Sequence, residues 1–130
     1  MSVFVGEAKI YALIDNNQEV FYIGCTIQPV ETRVAGHVYE AMKNLPYTNL
    51  LKNLRIKNSG YKISHRVLET KVVKGKDAAS ARRKAELLES RWIKKCLEIG
   101  YELTNRVYAN TDYSKGSKER IRKLVKINQR

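Results

Sequence analysis

Apolar and polar positions along the chain change period several times, and each change marks an element. Lys9-Ile10-Tyr11-Ala12-Leu13-Ile14-Asp15 is a short, apolar, β-branched run of strand type. Asn16-Asn17 predicts a turn, because Asn tolerates positive φ. Val20-Phe21-Tyr22-Ile23-Gly24 predicts the returning strand of an N-terminal hairpin. Pro29 suits the first turn of a helix, and Val34, Val38, Ala41 and Leu45 predict its buried stripe over Val30 to Asn44, with Pro46 as the stop. Thr48 to Lys57 predicts a second helix with Leu50, Leu51 and Leu54 inside, ended by Asn58-Ser59-Gly60. Tyr61 to Val73 alternates and carries β-branched residues, predicting a third strand that Gly75 ends.

The strongest helical period runs from Asp77 to Ile99. Asp77 is a natural N-cap, and Ala78, Ala81, Ala85, Leu88, Trp92 and Cys96 fall on one face. Gly100 is a fitting C-terminal stop, and residues 101–105 predict a short irregular segment. A last amphipathic helix is expected from Ser117 to Ile127, with Ile121, Leu124 and Val125 on one side. The order β-β-α-α-β-α predicts an α+β fold: a three-stranded antiparallel sheet, hairpin plus third strand, flanked by helices.

Composition narrows the partners. The 130 residues suit one domain, and 43% hydrophobic content argues against a chain disordered throughout. Lys and Arg number 25 against 13 Asp and Glu, giving a net charge of +12, which favours a polyanion, nucleic acid first. Cys25 and Cys96 form neither a CxxC pair nor a zinc pattern, so a reducing cytoplasmic, nucleoid-associated setting is expected. No apolar run approaches the roughly 20 residues that cross a bilayer, and the N-terminus lacks the pattern of a signal peptide.

Candidate chemistry begins in FYIGCTIQPVETRVAGH, which carries Tyr22, Arg33 and His37. Arg33 and His37 are four residues apart and share one helix face, expected at the edge of the sheet with Val34 and Val38 turned to the core. An arginine there can hold phosphate oxygens through its forked donors and stabilise the charge of a pentavalent phosphate. Glu89, one position beyond Leu88, should flank the core of the long helix, where one carboxylate could hold Mg²⁺. Glu86, near Arg82 and Arg83, reads as the salt-bridging carboxylate of the pair. A tight hairpin should bring Tyr11 and Tyr22 onto one sheet surface. His65 reads as a partly buried structural histidine, and Cys25 as a small packing residue.

Taken together, Ile10-Tyr11, Tyr22-Ile23-Gly24, the Arg33-x-x-x-His37 pattern, Glu89 in Leu87-Leu88-Glu89, and Asn105 in Leu103-Thr104-Asn105 resemble the GIY-YIG nuclease family, in family order over roughly residues 8 to 107. One departure stands out: Lys9 occupies the place of the motif's first glycine. The resemblance implies a metal-dependent DNA endonuclease using one Mg²⁺ or Mn²⁺ ion held by Glu89. It also implies Tyr11, Tyr22, Arg33, His37, Glu89 and Asn105 as catalytic residues. A tyrosine would help deprotonate the attacking water, and either Tyr11 or Tyr22 fits. Asn105 would orient the glutamate or the loop around it. The other outcome compatible with the residues is a DNA-binding protein that keeps the scaffold without cutting.

Residues 1–109 would form the nuclease-like domain and 110–130 a basic extension. Lys43, Lys52, Arg55 and Lys57, with Lys62 and Arg66 beyond them, lie in a stretch without a single acid. Lys115, Lys118, Arg120, Arg122, Lys123 and Lys126 give the extension its charge. Such cations bind phosphates without reading sequence, so double-stranded DNA is the expected partner.

Overall fold

The computed structural model describes residues 3–45 and 48–105. The basic extension, its expected helix and its six named cations lie outside the described residues, as does Pro46. Six elements follow in the expected order: β1 (Phe4–Ile14), β2 (Val20–Thr26), α1 (Val30–Lys43), α2 (Leu50–Asn58), β3 (Ser64–Gly75) and α3 (Ala78–Ile99). The fold is α+β, with one antiparallel sheet in the order β2-β1-β3.

Central β1 carries one face of the sheet to α1 and α2 and the other to α3. Ile10 and Ala12 pack with Ile23, Leu88, Ile93 and Leu97 on the α3 side. Tyr11 and Leu13 pack with Phe21, Val30, Ala41 and Ile56 on the other. Both faces of β1 are therefore dry from Ile10 to Leu13, which explains the near-continuous apolar run there. β1 begins five residues earlier than its sequence suggests, because Phe4 to Ala8 pair with Gly75 to Lys71 of β3, a partner no local pattern reveals. β3 starts only at Ser64, since Gly60 and Tyr61 both adopt left-handed backbone, with φ of 64° and 61°.

The hairpin turn is tied down by an acid. The Asp15 side chain accepts from the backbone N–H groups of Asn17 and Glu19 and pairs with Arg55 of α2 at 2.6 Å. The positive φ of the turn falls on Gln18, at 64°, not on either asparagine. Against the pull of burial, the Glu19 N–H and Arg55 hold the Asp15 carboxyl below its ordinary range. In α3 the caps are those expected: Asp77 accepts from Ser80 N–H, and Gly100 closes the helix at φ 111°.

Two helices turn differently from their apolar patterns. In α1, His37 is fully buried while Val34 and Val38 are only half-buried, so the stripe runs Val30, Val34, His37, Ala41. In α2, Lys52, Asn53 and Ile56 face inward and Leu50 is 49% exposed. A pattern of hydrophobic residues misses both cases because the buried polar groups find partners in each other. Trp92 sits at the rim of α3, where its indole N–H donates to Glu69 at 2.8 Å, and Ile93 and Leu97 take the buried positions.

Residues 103–105 are irregular, as expected, yet buried. The Thr104 N–H and hydroxyl both donate to the Phe21 carbonyl, and Asn105 forms a two-way clamp on Ile23, accepting its N–H at 3.1 Å and donating to its carbonyl at 2.7 Å. Asn49 N-caps α2 through its side-chain oxygen and donates to the Thr104 carbonyl. β2, α2 and this segment thus hold one another. Among the described residues no helix is long and apolar enough to cross a membrane.

Replacing Asn105 with Ala strands both backbone groups of Ile23 at a buried edge. The expected cost is about 2 kcal/mol, seen as a lower urea midpoint with an unchanged slope.

Candidate active site

Directly paired residues of an antiparallel sheet share a face. Tyr11 pairs with Gly24 and Leu13 pairs with Tyr22, so both tyrosines point to the α1 side, as the short hairpin predicts. The glycine has a steric reason. A Cβ at Gly24 would lie 2.9 Å from Tyr11 Cε1 and closer still to Cζ and the hydroxyl. The ring is therefore laid across the backbone of β2, and only glycine leaves it room. On the opposite edge, the register with β3 shifts between Ile10 and Tyr11, a bulge beside the same tyrosine. Lys9, at the departure from the motif, is an ordinary strand residue donating to the Gln28 carbonyl at 3.3 Å, so its side chain leaves the β1 backbone regular.

His37 lies between the two phenols, with ring centroids 6.0 Å from Tyr11 and 5.1 Å from Tyr22. Its Nε2 is 2.7 Å from the Tyr11 hydroxyl and its Nδ1 is 2.6 Å from Lys52 Nζ. Lys52 Nζ also donates to Glu40 at 2.7 Å, and Glu40 pairs with Arg33 at 3.4 Å. Burial, then Lys52 and Arg33, push the His37 pKa down to about 2, so the ring is neutral and its 3.8 Å approach to Glu40 is not an ion pair. Lys52 and Arg33 outweigh burial and hold the Glu40 carboxyl below its ordinary range.

The Arg33 charge also acts on the Tyr11 phenol, so α1 brings a guanidinium near it and an imidazole into hydrogen-bond contact with it. Burial pushes the Tyr11 phenol above its usual value, with the Tyr22 and Glu89 charges adding and Arg33 opposing. Tyr22 is pushed up to about 12 by burial and by Glu89. Both phenols are protonated at neutral pH.

Arg33 opens on a cavity of about 600 Å³, lined also by Cys25, Gln28, Arg82, Glu86 and Glu89. α1 and α3 lie on opposite faces of the sheet, and the cavity sits where their side chains meet past the end of β2. Burial, then the neighbouring Glu86, push Glu89 up to about 7. Burial and these two carboxylates push the Cys25 thiol up to about 12, leaving an un-ionised packing residue.

The structure brings Tyr11, Tyr22, Arg33, His37 and Glu89 into one neighbourhood, and it moves several residues to other tasks. His37 is in the interior rather than at the sheet edge, because Tyr11 and Lys52 satisfy both ring nitrogens. Asn105 bonds the backbone of Ile23, next to Tyr22, and so supports the hairpin rather than Glu89. Lys52, expected on a phosphate-binding surface, is 2% exposed and engaged with Glu40 and His37. Arg55 is held by Asp15 and stacks over Phe21. Lys43 and Lys57 are exposed, as expected. Glu86 forms no ion pair with Arg82 or Arg83 among the described residues and faces the cavity. His65 is half-buried near Glu31, at 3.9 Å. Glu40 was not singled out in the sequence, although its position three residues after His37 and seven after Arg33 places it on their face. No family model matches the chain, and no curated protein and no solved structure matches it either.

Gly24→Ala should displace the Tyr11 ring, at a cost of about 1–3 kcal/mol in thermal or chemical unfolding. A second change, Tyr11→Phe, should recover little of that loss, because the ring atoms clash as well as the hydroxyl.

Proposed function

We propose that this protein is a metal-dependent endonuclease of the GIY-YIG kind that hydrolyses phosphodiester bonds in double-stranded DNA. The observation that carries the proposal is the convergence of Arg33 from α1 and Glu89 from α3 on one cavity, with the Tyr11 phenol, hydrogen-bonded to His37, near enough to feel both charges. A solvated arginine and a solvated glutamate have no reason to meet across a sheet. The net charge of +12 supports a polyanionic partner.

The donor set suits Mg²⁺ or Mn²⁺. Glu89 and Glu86 are hard oxygen ligands one helical turn apart, and their mutual repulsion is part of what raises Glu89. Glu89 would hold the ion, with Glu86 beside it. When bound, the ion would polarise the phosphoryl group and ease departure of the leaving oxygen. The chain's own residues do the rest. Arg33, partly exposed to the cavity, grips a phosphate oxygen and meets the charge that grows in the transition state. To take the proton of the attacking water, Tyr11 or Tyr22 must first lose its own proton to solvent, and the Arg33 charge favours the ionised form of both. Neutralising the charge on Glu89 removes one of the influences that keep both phenols protonated. Arg82, at the cavity wall, and exposed Lys43 and Lys57 would add non-specific phosphate contacts.

Plasmid incubated with the protein and Mg²⁺ or Mn²⁺ should be nicked or cut. Arg33→Ala and Glu89→Ala should each lower the rate by at least about a hundredfold. Because Glu89 must ionise to take the ion and its pKa lies at about 7, cutting should rise with pH through that region, and the rise should move to lower pH as metal is added. Unchanged cutting in both variants contradicts the proposal. Salt-sensitive binding without any cutting would identify a DNA-binding protein on this scaffold instead.

A further inference from the structure

Buried lysines are rare, and this one is aimed at a histidine rather than at solvent. Lys52 belongs to α2, an element that contributes no side chain to the cavity. Its ammonium has three donors and no acceptor. One hydrogen goes to Glu40 at 2.7 Å and another to His37 Nδ1 at 2.6 Å. Nδ1 must then present its lone pair, and the single proton of the neutral ring must sit on Nε2. Nε2 lies 2.7 Å from the Tyr11 hydroxyl, so His37 donates and Tyr11 accepts.

We propose that Lys52, anchored by Glu40, is a positioning residue that fixes the tautomer of His37 and so sets the polarity of the His37–Tyr11 hydrogen bond. In the other tautomer the bare Nε2 would draw the Tyr11 proton inward, and the phenol would donate into the protein. With Nε2–H in place the phenol oxygen receives a donor from behind, and its own O–H is released from that bond. An oxygen held this way is prepared to carry negative charge. The consequence for cutting rests on the nuclease proposal above, whereas the tautomer does not.

The two are separated by using two readouts. Long-range ¹⁵N–¹H correlation spectra of histidine-labelled full-length protein, without metal or DNA, report which ring nitrogen bears the proton. Wild-type His37 should be a single Nε2–H tautomer, and in Lys52→Met the signals should move toward the Nδ1–H form or a mixture. A wild-type spectrum with the proton on Nδ1 overturns the proposal without requiring any variant to fold. In the plasmid assay Lys52→Met should lower kcat by roughly a hundredfold while leaving KM and the salt dependence nearly as they were. A raised KM and a shallower salt slope at unchanged kcat would make Lys52 a phosphate-binding cation and overturn its positioning role. Wild-type protein that shows the Nε2–H tautomer but does not cut would overturn the nuclease proposal and leave the Lys52–His37 assignment standing.

Discussion

The contact between the Tyr11 ring and the backbone at Gly24 is the constraint on which the rest of this structure depends. It is possible only because the hairpin register sets these two residues opposite each other and because position 24 has no side chain. Once the ring lies flat on β2, its hydroxyl has a fixed place. His37 reaches it from α1, Arg33 of the same helix acts on it by its charge, and Lys52 and Glu40 support the pair from behind. Several features that look unrelated in the chain serve this placement: the Asn105 clamp on Ile23, the Asp15–Arg55 tie on the turn, and the bulge where β3 passes Tyr11.

The electrostatic design follows from burial. Five ionisable side chains, Tyr11, His37, Glu40, Lys52 and Arg33, lie within a few hydrogen bonds of each other, and four of them have little access to water. Such a group is costly unless each member is partnered. Here the ions pair with each other, Glu40 with Lys52 and Arg33, while His37 stays neutral and links the ionic cluster to a phenol. On the other side of Arg33 the sign reverses: half-buried Glu89 shares the cavity with exposed Glu86, and burial together with the Glu86 charge raises the Glu89 carboxyl. A cation would relieve that cavity, and a phosphate would meet Arg33 next to it.

Much of the fold was legible in the chain because local rules were sufficient for it. Asp77 and Gly100 bound α3 through capping chemistry, and the two tyrosines share a face because strand side chains alternate. Phe4 to Ala8 were not legible as strand, since only β3, some seventy residues away, gives them a partner. The candidate site divides in the same way. Tyr11, Tyr22, Arg33 and Glu89 are singled out by their resemblance to a motif set, to which residue type and spacing alone add only that Arg33 shares a face with His37 and that the two tyrosines share one side of the sheet. Lys52 could not be placed in this way, because an inward lysine among leucines is explained only by His37 and Glu40, which lie in another helix. Its Leu-Leu-Lys-Asn context invites the assumption that leucines go in and lysine goes out, and α2 reverses it at Leu50 and Lys52. Glu86 was assigned to a salt bridge by its neighbours in sequence, whereas the tertiary approach of β2 and α1 gives it a cavity wall.

The central claim is that side chains from the hairpin, α1 and α3 form one centre that takes a single divalent cation. Mn²⁺ added in small steps to isotope-labelled protein without DNA tests it most directly, since the paramagnetic ion broadens signals near its site. The account predicts that Cys25, Gln28, Glu86 and Glu89 broaden first, and that Glu89→Gln abolishes this selective effect. First broadening at a distant surface, or the same pattern in Glu89→Gln, would contradict it.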